Sequence, residues 1–260
     1  MKTIKLELLP IITSKEARCI RILLPKGYEN SNQKYPVLYM HDGQNLFEDE
    51  TAYGNHSWGI DETLKDLNLD SVIVVGIDNS DLRLFEYSPW KSVPEVRKIT
   101  AIDTGGLGDV YSDFVVNHVK PLIDKKYRTI PDYRHTMIAG SSMGAYISAY
   151  IATKFPNVFS VVGIFSLASW FNEEDFIGFL NSCEIDRNQR YFISIGRRES
   201  SNEADKNFNQ IYIKNSRNFK ELLEKKQVQD ICYIETDDVH NELAWRKMFR
   251  EFILWINKKV

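Results

Sequence analysis

From about residue 35 onward, short and nearly unbroken apolar runs alternate with longer segments whose apolar residues recur at helical spacing. Six runs stand out: 36–40 (PVLYM), 71–77 (SVIVVGI), 136–139 (TMIA), 159–165 (FSVVGIF), 191–195 (YFISI) and 231–234 (ICYI). Runs this short, rich in β-branched and aromatic residues and lacking a polar face, predict strands buried on both sides. Two earlier segments, 3–9 and 18–24, alternate with period two and predict an antiparallel edge, closed by a turn at Pro25 and Gly27. Helices are predicted over 61–67, 109–126, 143–154, 208–226 and 242–258, with Pro121 kinking the second or starting a new turn inside it. Strands alternating with helices specify an α/β fold: a mostly parallel central sheet, helices on both faces and an antiparallel N-terminal edge. No repeat, low-complexity tract or Pro/Gly-rich linker interrupts the 260 residues, so a single domain over 1–260 is expected.

Composition removes several classes of function. The chain is 43% hydrophobic and 27% charged, an ordinary globular balance. A net charge of −3 and a pI of about 6.0 supply no general pull toward nucleic acid or an anionic membrane. No apolar run is long enough for a membrane span, and Lys5 and Glu7 break the stretch a secretory leader would need, so a cytoplasmic location is expected. Cys19, Cys183 and Cys232 have neither metal-ligand spacing nor the look of a disulfide framework, and reduced thiols are expected. No histidine pair has a metal-binding spacing, so neither metal nor cofactor is expected. His118 reads as a packed helix residue, and His56 and His135 as loop residues.

The chemistry centres on residues 140–144, Gly-Ser-Ser-Met-Gly, which fit G-x-S-x-G with Ser142 in the middle. The pentapeptide alone is a weak signal. Its context strengthens it, because a buried run precedes it and a helix follows at once. That strand–turn–helix holds a serine hydroxyl above the sheet edge on a strained backbone, beside the positive end of a helix dipole.

A serine nucleophile needs a base, and the base needs an orienting carboxylate. Of the five histidines only His240 follows Ser142, in the loop between the last apolar run and the last helix, and it is the expected base. The acid is expected just after the preceding strand, where Glu199 lies in the first turn and Asp205 further along; Glu199 is preferred and Asp205 is the alternative. Asp237 and Asp238 are nearer to His240 in sequence but are poorly placed to reach the far side of its ring. Met143, after the nucleophile, and the loop 41–47 (HDGQNLF) are expected to supply oxyanion N–H groups, with Gly43 turning the chain so that Gln44 N–H faces the site.

With these segments in hand, the chain resembles the esterase family of α/β-hydrolases that includes feruloyl and acetylxylan esterases, enterochelin esterases and S-formylglutathione hydrolase. The resemblance rests on YPVLYMHDGQNLF (35–47), VVGIDN (74–79), RLFEYSPW (83–90), KPLIDKKYRT (120–129), IAGSSMGAYIS (138–148) and His240-Asn241 with Trp245, in the family's order over about 35–250. It implies an α/β-hydrolase fold, the triad Ser142, Glu199 and His240, and oxyanion donors at Gln44 and Met143. Ala145 stands where many members have glycine, and glutamate replaces the usual aspartate at 199. Arg83, Glu86 and Trp90 match a loop that borders the site in relatives, which makes Arg83 a candidate substrate-binding residue. Trp170 and Trp245, by their positions near the expected site, are candidate pocket walls. The expected partner is a small-molecule ester, with no role for nucleic acid or membrane and no reading of oligomeric state. Hydrolysis, acyl transfer by the same triad, and a non-catalytic binding module on a hydrolase scaffold are the competing readings.

Overall fold

The computed structural model describes residues 3–11, 14–200 and 206–258. Among the described residues eight strands form one sheet: β1 (Thr3–Ile11), β2 (Ser14–Leu24), β3 (Val37–His41), β4 (Ile73–Ile77), β5 (Thr136–Ser141), β6 (Val161–Phe165), β7 (Arg190–Arg198) and β8 (Asp230–Val239). Their spatial order is β1-β2-β4-β3-β5-β6-β7-β8. β1 and β2 pair antiparallel, β2 meets β4 antiparallel, and every pairing from β4 through β8 is parallel. This is the α/β-hydrolase sheet, with the antiparallel N-terminal edge that the period-two segments predict.

The central runs are continuously apolar because alternate residues serve two separate cores. Val37 and Tyr39 of β3, Ile138 of β5 and Val162 and Ile164 of β6 enter one core, while Leu38, Met40, Met137, Ala139, Val161 and Phe165 enter the other. The helices are α1 (Ile60–Asp66), α2 (Arg83–Glu86), α3 (Pro94–Thr100), α4 (Gly108–Asp113), α5 (Lys120–Lys126), α6 (Met143–Lys154), α7 (Glu173–Ser182), α8 (Lys206–Lys225) and α9 (Glu242–Ile256). Residues of α4 to α8 close the first core and residues of α1 and α9 the second. Among the described residues no helix is long and apolar enough to cross a membrane.

Two expectations shift. The helix expected over 109–126 has three pieces, α4, a π-helical stretch Phe114–Val119, and α5. Pro121 lacks the N–H that would return to residue 117, and the widened turn ahead of it accommodates the missing bond. His118 is more than half exposed and faces Asp113 at 3.7 Å, so it is a surface residue and not a packed one. Its neighbours Val115 and Val119 take the buried face instead.

Candidate active site

β5 sits near the middle of the sheet, and the chain leaves its C-terminal end through Ser142 directly into α6. Ser142 has φ 56° and ψ −121°, a positive-φ conformation outside the left-handed helical region that a non-glycine residue adopts only when its surroundings impose it. The imposing contacts are identifiable. The Ser142 N–H donates to the Phe165 carbonyl at the end of β6 (2.9 Å), and its carbonyl accepts from Tyr146 N–H in α6 (3.1 Å). Gly140 is required for the approach, because a Cβ there would lie 2.6 Å from the Gly144 carbonyl. Met143 opens α6, so its N–H belongs to the first turn, where backbone donors have no partner within the helix.

The residue after Phe165 joins this turn to the carboxylate. Ser166, also at positive φ (53°), donates its hydroxyl to Glu199 Oε1 (2.7 Å) and accepts the Trp245 indole N–H (2.9 Å). Glu199 follows β7 directly and is 3% exposed. Its Oε1 also accepts the Gly196 N–H at 2.6 Å, and its Oε2 lies 2.5 Å from His240 Nδ1. The carboxylate is thus saturated on one oxygen and committed to the imidazole with the other. His240 follows β8 and keeps about a quarter of its side chain exposed, with Nδ1 as the nitrogen turned to Glu199. Asp237 and Asp238 are engaged elsewhere, with Arg197 and Lys247 respectively, and Asp205 lies outside the described residues.

Aromatic rings frame His240. Trp245 meets it edge-on, with ring centroids 4.9 Å apart at 84°, and Tyr212 of α8 packs at 5.3 Å. Trp245 is buried and also packs on Trp58, so it supports the imidazole and Ser166 more than it lines a pocket. Tyr212 was not legible from sequence, since nothing in a helix face announces what it faces. Burial first of all pushes its hydroxyl well above the usual phenol range, so it stays neutral beside the imidazole. Trp170 is half-buried and meets Phe208 and Tyr212 edge-on at 4.9 and 5.9 Å, forming one aromatic cluster that reaches His240 through Tyr212.

The loop after β3 lies against the first turn of α6, where a Cβ on Gly144 would meet His41 and Asp42 at 3.3 and 3.4 Å. Asp42 is left-handed (φ 55°, ψ 48°), and a 3-10 turn Gly43–Asn45 follows. Only glycine fits at 43, where a Cβ would lie 2.6 Å from the backbone of Gly76 in β4. Gln44 is fixed by its side chain, which accepts Asn79 N–H at 3.1 Å, and by its carbonyl, which accepts the Thr51 hydroxyl at 2.7 Å. Asp42 is held by Arg83 through two bonds (2.7 and 2.8 Å) and by the Asn79 amide (2.6 Å). Burial alone would raise the Asp42 carboxyl, but Arg83 and Asn79 keep it below the usual carboxylate range. His41, just before it, is pushed down to about 3 by burial and stays neutral; its Nδ1 shares a 2.8 Å hydrogen bond with the Tyr111 hydroxyl.

Glu86 and Trp90, from the same motif as Arg83, turn out to be structural. Glu86 forms a fully buried ion pair with Arg18 (2.8 Å), and Trp90 packs among Tyr146, Tyr150 and Phe179. Among the described residues no cluster of three His, Cys, Asp or Glu side chains is arranged to hold a metal ion.

A mostly parallel sheet with a strained serine turn after β5, a carboxylate after β7 and a histidine after β8 defines the α/β-hydrolase class. Residues 13–256 match the family described as "Putative esterase", and the chain belongs to that family of carboxylic ester hydrolases. It is 25% identical over 244 residues to the uncharacterized protein YbbA of Bacillus subtilis, covering 93% of each chain. It is 26% identical over 163 residues to an endo-1,4-beta-xylanase/feruloyl esterase of Xylanibacter ruminicola, covering 59% of this chain and 20% of that one. Among solved structures, a ferulic acid esterase superposes with a TM-score of 0.74 at 17% identity over 99% of both chains. The enterochelin esterase of Shigella flexneri gives 0.74 at 16% identity over 98% of this chain and 58% of that one. At these identities the solved structures speak for the fold alone.

Proposed function

We propose that the chain is a serine carboxylesterase acting through an acyl-enzyme on Ser142, with His240 as base, Glu199 as acid, and the whole chain working as one hydrolase domain. The observation that carries the reading is the 2.5 Å contact between Glu199 Oε2 and His240 Nδ1, set beside a serine at φ 56° on the β5–α6 turn. Glu199 fixes the Nδ1–H tautomer, so that Nε2 accepts the Ser142 proton as Oγ attacks the ester carbonyl. The N–H groups of Met143 and Gln44 bind the oxyanion of the tetrahedral intermediate. Collapse expels the alcohol, which takes the proton from His240. Water, deprotonated by the same histidine, then attacks the acyl carbonyl, and Ser142 leaves with the proton restored.

The substrate in this reading is a small soluble ester with an aromatic portion, carbohydrate- or siderophore-linked, and similar proteins are named as ferulic acid and enterobactin esterases. The cluster of Trp170, Phe208 and Tyr212 next to His240 supports an aryl group. Wild type and Ser142→Ala, assayed on p-nitrophenyl esters from acetate to decanoate and on a feruloyl ester, test the proposal. Turnover should fall by about 10³-fold or more in the variant, because removing a triad member leaves only binding and oxyanion stabilisation. A variant that hydrolyses these esters at the wild-type rate would exclude Ser142 as nucleophile.

A further inference from the structure

The sequence leaves Arg83 as a substrate-binding candidate, yet its guanidinium is already turned inward. Nε and one terminal nitrogen grip the two oxygens of Asp42 at 2.7 and 2.8 Å, and the guanidinium also lies 5.0 Å from the centre of the Tyr87 ring. A bidentate pair of this kind fixes orientation as well as charge.

What it fixes is a strained residue. Asp42 is left-handed immediately before Gly43 and Gln44, the turn proposed to aim an N–H at the oxyanion. The clamp has more than one jaw. Tyr87 accepts the Asp42 backbone N–H (3.2 Å), Asn79 donates its amide to Asp42 and its backbone N–H to the Gln44 side chain, and the buried Glu86–Arg18 pair anchors the short helix that carries Arg83. Position adds an electrostatic argument. A Cβ on Gly144 would lie 3.4 Å from Asp42 Oδ2, so this carboxylate sits against the first turn of α6, beside the place where negative charge would develop. Left unpaired there, an anion would repel the oxyanion; paired with Arg83, its charge is cancelled at the source.

We infer that the segment RLFEY (83–87) clamps the loop after β3, and that Arg83 is a positioning residue that sets and neutralises the oxyanion-binding backbone through Asp42, leaving substrate recognition to other groups. This rests on the proposed role of Ser142 and on the oxyanion donors.

The experiment is the rate of phosphonylation by a neutral alkyl fluorophosphonate, alongside kcat and KM for p-nitrophenyl acetate. In the labelling step the Ser142 oxygen bonds to phosphorus, the P–F bond breaks, fluoride leaves and the serine proton passes to His240. Neither probe carries an anionic group, so an arginine serving only to bind substrate would leave both rates unchanged. Arg83→Met should slow labelling and kcat by about 10- to 100-fold with KM within about threefold, the scale expected when oxyanion donors are displaced and not deleted. Adding Asp42→Asn should recover part of that loss by removing the stranded anion. Arg83→Lys, which keeps the charge but not the fork, should fall between and serves as the readout if Arg83→Met does not fold. Wild-type labelling and turnover in folded Arg83→Met or Arg83→Lys would overturn the clamp while leaving the nucleophile intact. Labelling that fails in wild type, or persists in Ser142→Ala, would instead remove the underlying reading and the clamp with it.

Discussion

Replacing Glu199 by glutamine tests the acid with the least disturbance of shape. Glu199 accepts three hydrogen bonds: Gly196 N–H and the Ser166 hydroxyl on Oε1, and His240 Nδ1 on Oε2. A glutamine has one acceptor and one NH₂, so one of these contacts must reverse. The Gly196 N–H is a fixed backbone donor at 2.6 Å and tolerates only an oxygen opposite it. Ser166 points the same way, because its oxygen already receives the Trp245 N–H and its own proton must go to an acceptor. The amide oxygen is therefore held at the Oε1 position and the NH₂ faces His240. Nδ1 then becomes the acceptor, the ring proton moves to Nε2, and the nitrogen proposed to act on Ser142 can no longer take a proton. A base locked in the wrong tautomer costs about 10⁴-fold in kcat in the serine protease triad, roughly 5 kcal/mol of transition-state stabilisation, and a loss of about 10³- to 10⁴-fold is expected here. KM should change little, since Glu199 is buried. Steady-state kinetics on p-nitrophenyl acetate at pH 7.5, with near-ultraviolet circular dichroism to confirm the fold, measure it. A glutamine variant within tenfold of wild type would show that Glu199 does not set the tautomer and would move the acid elsewhere, first to Asp205.

Two further predictions concern stability. His41 holds a pKa of about 3 when folded against 6.5 when unfolded, so between those values the unfolded chain binds a proton that the folded chain refuses. Its neutral form is fully compatible with folding above pH 6.5, and stability falls as pH drops below that value, by about 2 kcal/mol between pH 7.5 and 5. Urea unfolding of wild type and His41→Asn at both pH values reads this as a change in their difference; an unchanged difference would refute it. Glu86→Ala strands Arg18 in a buried site and should destabilise by about 3–5 kcal/mol by the same assay, whereas a loss below about 1 kcal/mol would mean that water reaches Arg18.

The parallel core was legible because burial on both faces leaves a signal local to each strand. β7 and β8 run past their apolar stretches because the extension is held by polar contacts such as Arg198 with the Asp237 carbonyl, which hydrophobicity does not register. α7 carried its signal unread: Asn172 caps it by accepting Asp175 N–H, and Glu173, Glu174 and Asp175 crowd its first turn. The three groups of the proposed triad were legible because each occupies a fixed place relative to its own strand. Ser166, Tyr212 and the true partner of Arg83 were not, since their roles depend on residues distant in sequence: 33 positions separate Ser166 from Glu199 and 41 separate Arg83 from Asp42.

The order in which the site is encoded bears on how the chain can be made. The strained serine turn is braced by β6, and the loop after β3 by the clamp that follows β4, so both belong to the first two-thirds of the chain. The carboxylate comes with β7, and the imidazole only with β8, the edge strand, and the helix whose Trp245 supports it. A chain emerging from the ribosome therefore carries the residues proposed as nucleophile and oxyanion donors well before the proposed base has been made. On the proposed reading the triad is complete only with β8 paired to β7 and with α9 in place, the helix that carries Trp245 to Ser166.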